Sequence, residues 1–197
     1  MEQDCVRCGR STPTCLGVRL HAEGTLELGG LGFHCGRCTA EVMAERRGER
    51  FTYLEVAPIS MEDARGRLRV FQFQYHTTGP LPGLEATEIE SGERCGYRVA
   101  VTAGPGESNV SLVGRLLEKT RRELARVHLV EDPGLTLGLA MESSVVRGWI
   151  AHDIEHEGPC VYVDGRKLDW RTFGELLLSH EGFQFRLEFH DPTAEVP

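Results

Sequence analysis

The chain has 197 residues, 40% of them hydrophobic and 26% charged, which excludes collagen, coiled-coil rods and disorder. That length suits one or two domains with a sizeable core. The formal net charge of −8 is carried by residues 51–145 (ten bases, thirteen acids) and 146–197 (five bases, ten acids), while residues 1–50 balance seven Arg against seven acids. No segment is net basic, so composition gives no footprint for a phosphate backbone.

Met1-Glu2-Gln3-Asp4 opens the chain without an apolar core for a signal peptide, and no apolar run approaches the length of a membrane helix. The expected location is cytoplasmic, with no membrane partner. Seven cysteines, an odd number, argue against a disulfide framework in such a chain. Four of them form two C-x-x-C pairs, Cys5-Val6-Arg7-Cys8 and Cys35-Gly36-Arg37-Cys38. Two residues between thiolates let one tight turn aim both sulfurs at one ion, and two such turns build the four-thiolate shell of structural zinc. The expected cofactor is therefore one structural Zn²⁺ held by Cys5, Cys8, Cys35 and Cys38. Cys15, His21 and His34 are nearby and stay open as substitutes for one ligand. A closed thiolate shell leaves no position for substrate, so this zinc is expected to hold the fold. Arg7, Arg10 and Arg37 are placed to offset its net negative charge.

Between the pairs, Val18–His21 and Thr25–Leu28 are candidate hairpin strands, followed by Gly29-Gly30. The segment after Cys38 reads as a helix with Glu41 early, Arg46 and Arg47 late and Gly48 as the stop. A knuckle, a hairpin and a helix carrying the last two ligands in its first turn resemble a treble-clef zinc finger.

In residues 51–144, Phe71, Phe73 and Tyr75 share one face of a strand over Arg67–His76, and Tyr97, Val99, Val101 and Ala103 share one face of another. Leu84–Glu90 is a weaker strand between them. The Ala103–Asn109 loop is glycine-rich but lacks the Gly-Lys-Ser/Thr of a phosphate loop, so it reads as a connection. A helix is expected from Asn109 to Val130, with Val113, Leu116, Leu117, Leu124 and Val127 inward. Arg115, Lys119, Arg122 and Arg126 recur along it as a basic ridge. Such a ridge is ordinarily a solvated helix face, and the alternative is an anion or nucleic-acid contact. His128 reads as a packing residue.

Residues 145–197 predict a strand over Val145–Ile154, a hairpin turning at Asp164-Gly165, and a helix capped by Asp169 with Phe173, Leu176, Leu177 and Trp170 inward. Gly182 ends that helix. A last strand follows, with Phe183, Phe185, Leu187 and Phe189 alternating with Gln184, Arg186, Glu188 and His190. The run His152-Asp153-Ile154-Glu155-His156-Glu157 reads as an acidic loop; His152, Asp153 and His156 would chelate a second metal only if the chain turned there, since along a strand the two histidines stand about 13 Å apart. Cys95 and Cys160 read as inert small hydrophobes.

The string Val163-Asp-Gly-Arg-Lys-Leu-Asp-Trp170, with Phe173-Gly174 and Glu181-Gly-Phe-Gln-Phe185, resembles a module of bacterial proteins of unknown function. Those proteins pair an N-terminal C-x-x-C zinc-finger-like segment with an α+β body. The resemblance is most specific over residues 145–190; it implies an architecture and no activity.

The expected protein is α+β: a treble-clef-like finger (1–50), an antiparallel sheet with one long helix (51–144) and a C-terminal ββαβ-like unit (145–197). No catalytic residue is assigned, since the chain lacks GxSxG, HExxH and dinucleotide fingerprints. The leading reading is a non-catalytic, zinc-stabilised interaction or adaptor protein whose partner is another protein. Two alternatives remain open: a nucleic-acid-associated zinc-finger protein, and a metal-dependent hydrolase with a second site near His152.

Overall fold

A computed structural model describes residues 2–13, 17–20, 32–48, 53, 55–76, 83–91, 93–153 and 156–195. The architecture is mixed α+β, with three helices and several antiparallel sheets among the described residues. None of those helices is long and apolar enough to cross a membrane.

The N-terminal part begins with a hairpin, β1 (Glu2–Asp4) paired with β2 (Ser11–Pro13). Its tip holds the first cysteine pair. Strand β3 (Gly17–Leu20) pairs with β4 (Gly32–Cys35), which runs into helix α1 (Gly36–Arg47). The observed partner of the first expected strand is thus Gly32–Cys35; Thr25–Leu28, Gly29-Gly30, Cys15 and His21 lie outside the described residues. Gly48 closes α1 in the left-handed region at φ +66, sending its N–H back to the Ala44 and Glu45 carbonyls.

The middle part is a four-stranded antiparallel meander: β5 (Ile59–Glu62), β6 (Leu68–His76), β7 (Gly83–Glu90) and β8 (Glu93–Thr102). Cross-strand register puts Phe73 opposite Ala86, Ala86 opposite Val99, and Leu84 opposite Val101, so one face is continuously apolar. Helix α2 (Asn109–Leu124) covers that face with Leu112, Leu116 and Leu124. Ser108 caps it, accepting the Ser111 N–H, and Glu107 already accepts the Gly104 N–H in the preceding loop. The helix stops six residues before the expected Val130. There the chain turns: the Leu124 carbonyl accepts the Ala64 N–H, and the N–H groups of His128 and Leu129 go to a carboxylate from the C-terminal part. His128 consequently lies beyond the helix.

Strand β9 (Leu129–Glu131) pairs with β10 (Leu139–Met141), and a three-stranded sheet follows: β11 (Trp149–Asp153), β12 (Gly158–Val163) and β13 (Arg166–Asp169). The β12–β13 hairpin turns at Asp164 (φ +49) and Gly165 (φ +71), both in the left-handed region, as the Asp-Gly pair predicts for a type I′ turn. Asp169 accepts the Thr172 N–H and starts α3 (Trp170–Leu177), which ends in a 3₁₀ turn, Leu178–His180. Leu129, Val161, Val163, Leu168 and Leu176 form the core here, with Phe173 packed on it.

Two expectations for this part do not hold. Trp170 and Leu177 do not face inward; both are exposed. Residues 183–190 form no strand: they run free of any sheet with their apolar side chains in solvent. The C-terminal part is therefore three strands followed by a helix, and the alternating pattern of the last segment is left without a sheet to join.

The middle and C-terminal parts meet along a polar seam. The buried Asp164 Oδ2 accepts the N–H of His128 (2.8 Å) and of Leu129 (2.9 Å), and the Arg65 guanidinium lies 3.5 Å away while also donating to the Leu129 carbonyl. Beside it, a register shift between Thr87 and Glu88 throws Gly96 and Tyr97 of β8 out of line. Glu88 fills the space so made, accepting the Tyr97 N–H and pairing with Arg69. A Cβ on Gly96 would stand 1.7 Å from Glu88 Oε2, so only glycine fits. Trp149, stacked on Tyr162, closes the seam by donating its indole N–H to the Gly96 carbonyl.

Candidate metal centre

The four cysteines reach the site as two pairs, each from its own piece of backbone. Cys5 and Cys8 sit on the β1–β2 tip, where the Gly9 N–H returns to the Cys5 carbonyl at 2.8 Å and the Cys5 N–H to the Arg10 carbonyl at 3.0 Å. The Val6 N–H donates to the Phe33 carbonyl and ties this knuckle to β4. Val6 also packs over Gly32, where a Cβ would stand 2.6 Å from its Cγ1. Cys35 ends β4 as the N-cap of α1, and Cys38 lies in the first turn of that helix.

The four sulfurs lie within 4.8 Å of one another, and Cys8 Sγ is 3.8 Å from Cys35 Sγ. Sulfurs at the corners of a tetrahedron around zinc, each about 2.3 Å from the ion, stand about 3.8 Å apart. Cys5, Cys35 and Cys38 are buried, while Cys8 lies at the rim. This cluster could hold one metal ion, and it is the one such group among the described residues.

The electrostatics fit a cation. Burial, then the neighbouring Cys8, Cys35 and Cys5 sulfurs, push the Cys38 thiol well above its ordinary range, and burial also raises Cys35. Burial opposes ionisation of Cys5 too, but the backbone N–H groups of Cys35, Cys8 and Arg7 outweigh it and bring that thiol down to about 6. Four thiolates this close repel one another unless a dication sits among them. Around the cluster, Arg7 bonds Glu45 at 2.9 Å and lies 3.6 Å from Glu41, and Arg10 bonds Glu55. These two arginines are braced by carboxylates while remaining close enough for the thiolates to favour their charge. Arg37 is exposed. His34 is buried with its Nδ1 3.2 Å from the Gly32 carbonyl, and it stands outside the four-sulfur group.

The other sequence-derived candidates are not brought together in this way. Buried Asp153 bonds Lys167 Nζ (3.0 Å) and His156 Nδ1 (2.8 Å). His152 precedes it on β11, exposed and directed to the opposite face. On α2, Arg115 bonds Glu107 and the Thr102 carbonyl and Arg122 bonds Glu195, while Arg126, expected on the same ridge, lies past the end of the helix and bonds Glu123. Lys119 is buried: its Nζ donates to the carbonyls of Ala100 (3.0 Å), Pro192 (3.2 Å) and Ala194 (2.8 Å). Sequence periodicity placed it on the ridge because its burial comes from a segment more than seventy residues away. Cys160 is buried, and the Cys95 thiol is pushed up to about 11 by burial and by Glu88 and Glu90, which suits an inert residue.

An α+β body with a zinc-finger-like N-terminal region is the class that fold and cysteines define. Within the body, residues 52–125 match a domain of unknown function, DUF7686, and residues 128–194 match a second, DUF7713. No curated protein and no solved structure matches the chain.

Proposed function

We propose that this chain is a cytoplasmic, non-catalytic adaptor whose N-terminal part is built on one structural zinc ion and whose partners are proteins. The observation that carries the reading is the sulfur tetrad, at the spacing of a tetrahedral thiolate shell. Four protein ligands leave no open position at which a substrate or a water could be activated. The ion would neutralise the thiolates and join the knuckle to helix α1. The free cysteines suit a reducing compartment. The carboxylate partners of Arg115, Arg122 and Arg126 favour a protein partner over a nucleic acid, because those charges are already compensated within the chain.

Metal analysis of the purified protein tests the reading. One zinc per chain is expected, and cobalt substitution should give the intense sulfur-to-metal absorption of a four-thiolate tetrahedron. A protein that folds residues 2–48 without metal, or a cobalt spectrum that responds to added anions through an open coordination position, would overturn it.

A further inference from the structure

After Gly182 the chain runs through residues 183–190 without a hydrogen bond from residues 184–190 to any other element among the described residues. Phe183, Phe185, Leu187 and Phe189 are 72%, 90%, 66% and 74% exposed. In an extended chain these four side chains share one edge, and Gln184, Arg186, Glu188 and His190 the other. The segment is thus a strand in pattern, with neither a sheet to bond its backbone nor a core to cover its apolar side. It is held at both ends. Helix α3 and its 3₁₀ turn fix one end, with the Phe183 N–H on the His180 carbonyl. At the other, Lys119 holds the Pro192 and Ala194 carbonyls and Arg122 holds Glu195.

The same chain carries an acceptor. Strand β11 is an edge of its sheet, bonded to β12 on one side only among the described residues. Ile150 of β11 stands opposite Val161, on the face that α3 covers. Val161 is buried there, yet Ile150 is 52% exposed. The core therefore runs out at β11 one strand short of its cover.

We propose that two copies of this chain form a two-fold dimer by exchanging this arm, with residues 183–189 of each adding as an edge strand to β11 of the other. Donor and acceptor on one chain make the contact reciprocal and self-closing. The phenylalanines then extend the face on which Ile150 stands beside Val161, and the arm's backbone groups find the partners they lack in one chain. The area is sufficient: three phenylalanines at about 150 Å² each bury about 450 Å² per arm. Two arms and the surfaces they cover come to about 1,800 Å², the size of a standard specific interface. Anchoring at both ends leaves little freedom to lose on docking. The exchange does not depend on the metal centre.

Sedimentation and hydrogen exchange on the full-length protein test this. A dimer is expected at micromolar concentration, with amides 184–189 protected in the dimer and unprotected on dilution. Phe185→Glu and Ile150→Glu, both at sites exposed in the single chain, should each weaken the dimer about tenfold or more while the thermal transition stays in place. Mixing the two variants should give a heterodimer held by one arm, more abundant than either homodimer. A monomer throughout overturns the proposal. So does a dimer indifferent to Ile150→Glu, which would place arm against arm, and so does one in which the arm amides exchange freely.

Discussion

Replacing Asp164 measures how much of the protein's stability runs through the seam between its middle and C-terminal parts. One carboxylate oxygen there accepts two backbone N–H groups, His128 at 2.8 Å and the buried Leu129 at 2.9 Å, with Arg65 alongside. Removing the carboxylate leaves both N–H groups without an acceptor, at about 1–3 kcal/mol each. Asp164→Gly isolates this loss, since glycine accepts the left-handed backbone, and should cost about 2–5 kcal/mol. Asp164→Ala loses the same bonds and keeps a Cβ at φ +49 without the polar side chain that eases that backbone, so it should cost at least as much as the glycine variant. Asp164→Asn keeps one acceptor and tolerates that backbone, so it should cost about 1 kcal/mol, chiefly the charge facing Arg65. Against a typical total of about 5–15 kcal/mol, the glycine variant should lose a large share of the whole. Urea unfolding followed by tryptophan fluorescence is the assay, because Trp149 stacks on Tyr162 and bonds Gly96 at the same seam. An Asp164→Gly protein within about 1 kcal/mol of the parent refutes the reasoning, since a buried and a half-buried donor together would then have cost less than the lower bound for one.

Cys8→Ser should release the metal and unfold residues 2–48 by circular dichroism, since structural zinc contributes about 10–16 kcal/mol of apparent binding energy in small modules. Gly96→Ala should destabilise by about 2–4 kcal/mol in the same urea assay, because the new methyl group takes the place of Glu88 Oε2. Lys119→Met should leave the Ala100 carbonyl unsatisfied, costing about 1–3 kcal/mol, and open residues 191–195 to proteolysis. Burial resists the charge on Asp63, but the N–H groups of Arg67 and Arg65 and the Arg69 guanidinium outweigh it and hold this carboxyl below the usual carboxylate range. With the folded-state value below the unfolded one, its contribution is whole above about pH 4 and is lost as pH falls through the lowered value. An acid titration of stability should therefore be shallower in Asp63→Asn below pH 4.

Local patterns carried far in this chain, and long-range polar contacts did not. The C-x-x-C spacing identified a four-cysteine cluster because two-residue gaps constrain the backbone wherever they occur. Alternation identified β6 to β8, and Asp164-Gly165 identified its turn from the positive φ that both residues accept. That turn gave no hint that its side chain would cap Leu129, 35 residues earlier. The early end of α2 is a long-range effect too: the Ala125 and Arg126 N–H groups still return to Arg121 and Glu123, but Asp164 then takes those of His128 and Leu129, where helix propensity would have carried the helix on. The last strand failed differently: its pattern is correct for a strand, but a strand exists only where an edge receives it. The short β5 went unrecognised because four residues at a sheet edge carry too little periodicity.

Lys119 and its carbonyls imply an order of events during synthesis. Ribosomes add about 5–20 residues per second, so Pro192 and Ala194, 73 and 75 residues further on, are made about 4–15 s after the lysine they will meet. In that interval the leucines of α2 can already settle on the β5–β8 meander, while the ammonium beside them has only the Ala100 carbonyl of its three partners. Asp164 reaches Arg65 with a comparable delay, 99 residues later. Synthesis thus lets the apolar core of α2 and the meander close before its C-terminal fastening, and a nascent chain paused before residue 190 should carry that core with Lys119 short of two of its three carbonyls, visible as one slow-to-protect patch in pulse-labelled translation intermediates.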